Sequence, residues 1–268
     1  MIEVKNITKT FDGFNAVDDV SFKVEEGEKI VFLGRSGCGK TTLLKMINRL
    51  IRPSSGSISI DGHPIDDQAP ELLRRKIGYV LQNTGLFPHY TVAENIAIVP
   101  RLLGWDKKKT AERTVELMEK LHLSPDKYLS VFPHQLSGGQ QQRVGLARAL
   151  AAYPPVLLMD EPFGALDPIT RASVKRDFKE LDEWRTKTVI LVTHDVQEAF
   201  ELADRICLMD KGKIIQAGKG ADLLLHPATG YVKDFFDDQR FQLEVQMIDA
   251  DDHAALIKAF TNFKHRLS

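Results

Sequence analysis

Gly34-Arg35-Ser36-Gly37-Cys38-Gly39-Lys40-Thr41-Thr42 carries the most specific chemistry in this chain. The pattern is G-x-x-x-x-G-K-T. Ile30 to Leu33 precede it as a short apolar run, which predicts a buried strand. Leu43, Leu44, Met46, Ile47 and Leu50 follow at helical spacing. Strand, glycine-rich turn and helix form the context in which this pattern binds a polyphosphate. Glycines let the backbone approach the phosphates and turn its N–H groups toward them. The helix N-terminus points its positive end at the same place. Lys40 is expected to put a point charge on the β- and γ-phosphates, and the Thr41 hydroxyl to reach Mg²⁺. Gly34 to Thr42 are therefore the candidate nucleotide-binding residues.

Two acids come next in importance. Val156 to Met159 read as an apolar strand that ends at Asp160-Glu161. A buried carboxylate without a partner is costly, so Asp160 is expected to organise Mg²⁺ through its waters. Glu161 is the candidate general base, polarising water for attack on a γ-phosphate; such a base contributes roughly 10²–10⁴-fold. Both acids could instead be metal ligands. Successive residues at a strand end point in different directions, which favours divided roles. Gln82 follows a predicted strand from Ile77 to Leu81, and His194 follows one from Thr188 to Val192. Candidate side chains thus collect at carboxyl ends of strands, the edge where open α/β sheets bind ligands.

Leu136-Ser137-Gly138-Gly139-Gln140 opens a predicted helix that runs through Ala152. Ser137 has N-cap chemistry. The turn offers a second anion site at a helix N-terminus, although one complete phosphate loop is already present.

The remaining chain supplies the supporting elements. Ile2–Ile7 and Val20–Val24 read as antiparallel strands, with Phe11 in a polar turn between them. Val92 to about Leu123 has helical periods, with Leu117, Met118 and Leu121 on one stripe, and predicts a helical insertion. Leu86, Phe87 and Pro88 form an apolar patch in the preceding loop, either a surface that waits for a partner or a small satellite core under the insertion. Cys207 to Met209 and Lys213 to Gln216 predict a hairpin. Cys38 lies beside a helix N-terminus and near Lys40, which predicts a reactive thiol shielded by nucleotide.

Composition narrows the class. The chain has 268 residues, 43% hydrophobic and 27% charged, which is globular composition. Lys plus Arg is 36 against Asp plus Glu 37, so no basic excess points to nucleic acid. Two well-separated cysteines argue against a disulfide framework. No apolar run approaches the ~18 residues of a membrane span.

Together these motifs resemble the nucleotide-binding subunit of an ABC transporter, over residues 1 to about 240. The implied fold is α/β: a P-loop ATPase with a RecA-like parallel-sheet core, an N-terminal antiparallel β subdomain and an inserted helical subdomain at about 85–152. Residues 241–268 would be a short C-terminal extension. Gly85-Leu86-Phe87-Pro88-His89, Glu94-Asn95-Ile96-Ala97, Val99 to Trp105 and Glu161 to Arg171 are similar to importers of quaternary amines such as glycine betaine, choline and carnitine. Many relatives there carry a pair of CBS modules after the ATPase domain. The 28 residues from Phe241 to Ser268 are too few for such a pair, so regulation through CBS modules is not expected.

The resemblance also implies roles. Phe11 stacks on adenine. Gln82 senses Mg²⁺ and the attacking water, and His194 contacts the γ-phosphate. Ser137, Gly138, Gly139 and Gln140 reach the γ-phosphate of the other subunit, with Asp167 at the subunit boundary. ATP and Mg²⁺ are the implied cofactors. The implied partners are a second copy in a head-to-tail two-fold homodimer, the membrane-spanning permease subunits, and indirectly a solute-binding protein; nucleic acid is not expected. The implied location is the cytoplasmic face of the cell membrane, as a peripheral subunit. An importer for amino acids or polyamines, or an ABC-type DNA-repair ATPase, is the alternative.

Overall fold

The computed structural model describes residues 1–237. Its strands are β1 (Ile2–Phe11), β2 (Phe14–Val24), β3 (Lys29–Leu33), β4 (Ser55–Ile60), β5 (His63–Pro64), β6 (Ile77–Val80), β7 (Val156–Asp160), β8 (Thr188–Thr193), β9 (Arg205–Asp210) and β10 (Lys213–Gly218). Its helices are α1 (Lys40–Ile47), α2 (Pro70–Arg75), α3 (Val92–Leu102), α4 (Lys107–Lys120), α5 (Pro125–Tyr128), α6 (Gly138–Leu150), α7 (Pro168–Glu180), α8 (Asp182–Thr186), α9 (Val196–Leu202), α10 (Gly220–Leu225) and α11 (Gly230–Asp237).

Six strands form one sheet in the order β10-β9-β3-β8-β7-β6, and four form a second in the order β2-β1-β4-β5. In the larger sheet β9, β3, β8, β7 and β6 run parallel, and β10 returns antiparallel. The parallel strands are apolar at nearly every position because both of their faces are covered. The two-residue period then divides them. Val31, Leu33, Leu157, Met159, Val189 and Leu191 enter a core with the helices, including Val144 of α6 and Phe178 of α7. Ile30, Phe32, Leu158, Ile190 and Val192 enter a second core with α1 and the antiparallel sheet.

The antiparallel hairpin is longer than its apolar alternation predicts, running to Phe11 on one side and from Phe14 on the other. Asp12 and Gly13 have φ of +46° and +83°, the left-handed pair that matches strand twist in a tight hairpin. Register shifts after Val4 and Ile7 break the period, which hides the extra residues from a pattern reading. Phe11 is therefore the last residue of a strand, not part of the turn.

Between β6 and β7 the chain forms α3 to α6 and no strand. The helical stretch from Val92 is broken where sequence periodicity carries through. Gly104 takes φ +73°, and Asp106 accepts hydrogen bonds from the Lys108 and Lys109 amides to start α4. The Leu117, Met118 and Leu121 stripe is buried as expected. The C-terminal extension expected from Phe241 lies outside the described residues. No helix among the described residues is long and apolar enough to cross a membrane.

Candidate active site

Strand order aligns the chemistry. Leu33 pairs with Thr193, Asp160 with Val192, and Val80 with Met159, so β3, β8, β7 and β6 end along one edge. The phosphate loop, His194, Glu161 and Gln82 leave that edge in a row. Between them lies a cavity of about 290 Å³ lined by Ala16, Ser36, Gly37, Gly39, Lys40, Thr41, Thr42, Gln82 and Glu161.

The loop after β3 ends at Gly39, which caps α1 with φ +106° and without a side-chain hydrogen bond. A side chain here would also meet the Ala16 carbonyl, only 2.3 Å from an added Cβ. Glycine is needed for both reasons. Lys40 is buried, and its ammonium donates to the carbonyls of Gly34 at 2.7 Å and Arg35 at 3.1 Å.

The two acids separate as their strand-end positions suggest. Asp160 is buried and accepts from the Thr41 hydroxyl at 2.8 Å. Burial pushes its carboxyl above the usual range, against the hydrogen bond from Thr41. Glu161 leaves the strand through φ +43°, a conformation uncommon outside glycine and held by its amide donating to Val192 O at 2.9 Å. Its Oε2 accepts from Gln82 Nε2 at 3.1 Å and lies 3.1 Å from His194 Nδ1. Three residues from three strand ends thus share one carboxylate oxygen.

Mg²⁺ fits this set. Among the described residues no cluster of three or more His, Cys, Asp or Glu could cage a metal. One buried carboxylate beside one hydroxyl, open to a phosphate pocket, is the arrangement that Mg²⁺ shares with substrate phosphates. Thr41 and Asp160 would hold it, with Gln82 at the rim of the same cavity.

Ser137, Gly138, Gly139 and Gln140 lie outside the cavity lining. Ser137 caps α6 reciprocally: its Oγ accepts from the Gln140 amide at 3.3 Å, and Gln140 Oε1 accepts from the Ser137 amide at 2.9 Å. Asp167 caps α7 by accepting from the Thr170 amide at 3.1 Å. Phe11 is 44% exposed at its hairpin, with the Lys9 ammonium 4.9 Å from its ring centre.

A family model described as ABC transporter matches residues 17–164. The chain belongs to the ABC transporter family. It is 53% identical over 241 residues to the choline transport ATP-binding protein OpuBA of Bacillus subtilis (strain 168), covering 90% of this chain and 63% of that relative. It is 49% identical over 257 residues to the osmoprotectant import ATP-binding protein OsmV of Salmonella typhimurium, covering 94% and 67%. The chain thus spans just under two thirds of the length of OpuBA. Among solved structures, the dimeric post-hydrolysis state of the ATP-binding cassette MJ0796 bound to ADP and Pi superposes with a TM-score of 0.73 at 35% identity. It covers 82% of this chain and 98% of that one.

In this ABC-family chain one expectation fails. Cys38 is 5% exposed, and burial pushes its thiol above the ordinary range despite the Lys40 ammonium 3.7 Å from its sulfur. Desolvation outweighs the nearby cation and helix end, so Cys38 packs as a small apolar residue instead of a reactive thiol. Cys207 is likewise buried and free.

Other residues position the ABC site without being evident from sequence. Arg148, in the last turn of α6, donates to Gly85 O and Thr84 O, both at 2.7 Å, and so fixes the loop after Gln82. Asn95 is fully buried and holds the next turn. Its Oδ1 accepts from the Phe87 amide at 2.8 Å, and its Nδ2 donates to the carbonyls of Phe87, Tyr90 and Thr91. The signal available for Asn95 was a polar residue on the apolar stripe of α3; Arg148 offered none.

Proposed function

We propose that this chain is the ATP-hydrolysing subunit of an ABC importer for quaternary-amine osmoprotectants such as glycine betaine, choline or carnitine. The observation that carries the ATPase reading is the convergence on Glu161: Gln82 and His194 meet its carboxylate at 3.1 Å, at the rim of the phosphate cavity. Similarity to choline and osmoprotectant transport ATP-binding proteins supports the cargo. ATP phosphates entering the loop would draw the Lys40 ammonium from the Gly34 and Arg35 carbonyls onto the β- and γ-oxygens. Mg²⁺, when bound, neutralises charge on the phosphate oxygens. Glu161 polarises the attacking water, His194 holds the γ-phosphate side, and Gln82 senses Mg²⁺ and that water. Most of the rate then comes from positioning and charge stabilisation. Phe11 stacks on adenine.

Residues 1–240 act as one nucleotide-binding domain. Ser137, Gly138, Gly139 and Gln140 serve the γ-phosphate of a second copy, with Asp167 at the boundary, in a head-to-tail homodimer. Their absence from the cavity of their own chain supports this. The subunit sits at the cytoplasmic face of the membrane against permease subunits. Phe87 supports that contact: it is half-exposed, packs with Tyr90 at 5.5 Å between ring centres, and borders a groove of about 300 Å³ with Gly85, Val99 and Arg148. Leu86, beside it, packs against the core.

The test is purification with the membrane subunits, followed by ATPase and uptake assays across quaternary amines, amino acids and polyamines. Wild type should hydrolyse ATP faster in the presence of a quaternary amine. Glu161→Gln should bind Mg-ATP, accumulate as a dimer and lose about 10²–10⁴-fold in turnover. Substantial turnover in the variant removes Glu161 as the base. Stimulation by another solute class alone overturns the assignment of cargo.

A further inference from the structure

Two loops leave the site edge and open two neighbouring helices. Residues 161–167 run into α7, and His194-Asp195 run into α9. Arg171, in the first turns of α7, reaches both. Its Nη2 donates to Leu166 O at 3.0 Å and more distantly to Gly164 O at 3.5 Å. Its Nη1 donates to Asp195 Oδ2 at 3.2 Å. Asp195 is itself anchored: Oδ1 accepts from the Glu198 amide at 3.0 Å, and its own amide donates to Thr193 Oγ1 at 3.0 Å. His194, adjacent in sequence, faces Glu161. One turn further along α7, Lys175 meets Glu201 of α9 at 2.7 Å.

We propose that Arg171 is a positioning residue that ties the loop carrying Asp167 to the loop carrying His194, so that the two respond to a phosphate as one body. The proposal rests on the ATPase reading above. Arg171 and Asp195 side chains are each about a third exposed, 31% and 29%, so their ion pair alone adds little stability. What the guanidinium supplies is geometry. Its planar fork meets a carboxylate on one side and backbone carbonyls on the other, which a lysine ammonium cannot do in the same orientation. Without that brace, Asp167 and Asp195 still cap α7 and α9, while His194 and Asp167 lose their fixed separation. A displacement of about 1 Å in a catalytic group can cost on the order of 10²-fold.

The experiment is a double-mutant cycle on the assembled transporter, reading kcat, KM for ATP and thermal midpoint. Asp195→Asn keeps an oxygen to cap α9 and removes the charge that Arg171 meets. Arg171→Gln and Asp195→Asn should each lower kcat about ten- to a hundredfold with KM for ATP nearly unchanged. The double variant should be no slower than the slower single, because both break one coupling. Arg171→Lys should keep the wild-type midpoint and still lose kcat, which separates positioning from folding. Wild-type kcat in folded Arg171→Lys and Asp195→Asn overturns the proposal, as do losses that multiply in the double variant. If Arg171→Gln does not fold, the same cycle is read with Arg171→Lys. Failure of the wild type itself to hydrolyse ATP overturns the underlying function instead, and is seen before any variant is compared.

Discussion

Helices α1 and α6 both begin in glycine-rich turns, yet they finish their N-termini in opposite ways. At α1 the cap is a left-handed Gly39 with no side-chain acceptor, and buried Lys40 is the first helical residue. At α6 Ser137 and Gln140 satisfy one another. Helices α7 and α9 follow α6, closed by Asp167 and Asp195. An uncapped N-terminus leaves amide donors for a ligand. A reciprocally capped one is stable by itself and meets an anion with what is left: the Gly138 and Gly139 amides and the proton of the Ser137 hydroxyl. The difference is that α1 leaves its first amides open at the cavity, whereas α6 closes part of its terminus on itself.

The comparison is broken most forcefully at Lys40. Lys40→Ala should raise the Kd for ATP at least about 100-fold, since charged hydrogen bonds to phosphate are lost. Titration calorimetry measures this, and unchanged affinity would end the assignment of α1 as the phosphate site.

Glu198 tests whether a closed terminus is relaxed in its interior. It sits in the first turn of α9, and burial pushes its carboxyl up to about 7, with Asp195 raising it further and Thr193, Lys175 and Arg171 opposing. A raised carboxyl binds its proton more tightly in the folded state. Its contribution is therefore full below about pH 4.5 and lost as pH rises through about 7. Glu198→Gln removes this titration, so the variant should gain roughly 2–3 kcal/mol relative to wild type between pH 4.5 and pH 8. Urea melts at several pH values measure the slope; parallel curves would mean Glu198 is not desolvated.

The smallest effect belongs to Ser137. Ser137→Ala should cost about 1 kcal/mol of stability by losing the cap. It should leave ATP binding by the isolated subunit unchanged while slowing turnover of the assembled pair. Should isolated-subunit affinity fall as it does in Lys40→Ala, both helix ends serve one phosphate and the contrast collapses.

The same contrast marks what was legible in the sequence. The phosphate loop is contiguous, flanked by an apolar run and a helical period, so its strand, turn and helix are local facts. Asp160-Glu161 and His194 are legible for the same reason: each ends an apolar strand buried on both faces. The hairpin ends, the break at Gly104 and the clamps by Arg148 and Arg171 were not. Register shifts erase the period that would mark the hairpin. Arg148 acts on carbonyls 63 and 64 residues away, and those acceptors are backbone groups with no sequence identity. Cys38 misleads for a related reason: its chain neighbours predict a thiolate, while solvent access, a property of the fold, decides its chemistry.

Helix α6 joins the Ser137 turn to the loop that follows Gln82. Its 13 residues make a rod of roughly 20 Å, with the Ser137 cap at one end and the Arg148 grip on Thr84 and Gly85 at the other. A rod transmits displacement without storing it. A shift of the capped end would reach the Thr84–Gly85 turn through Arg148, two residues after Gln82. A cross-link between α6 and β6 should then hold the Ser137 turn and the Thr84–Gly85 turn together.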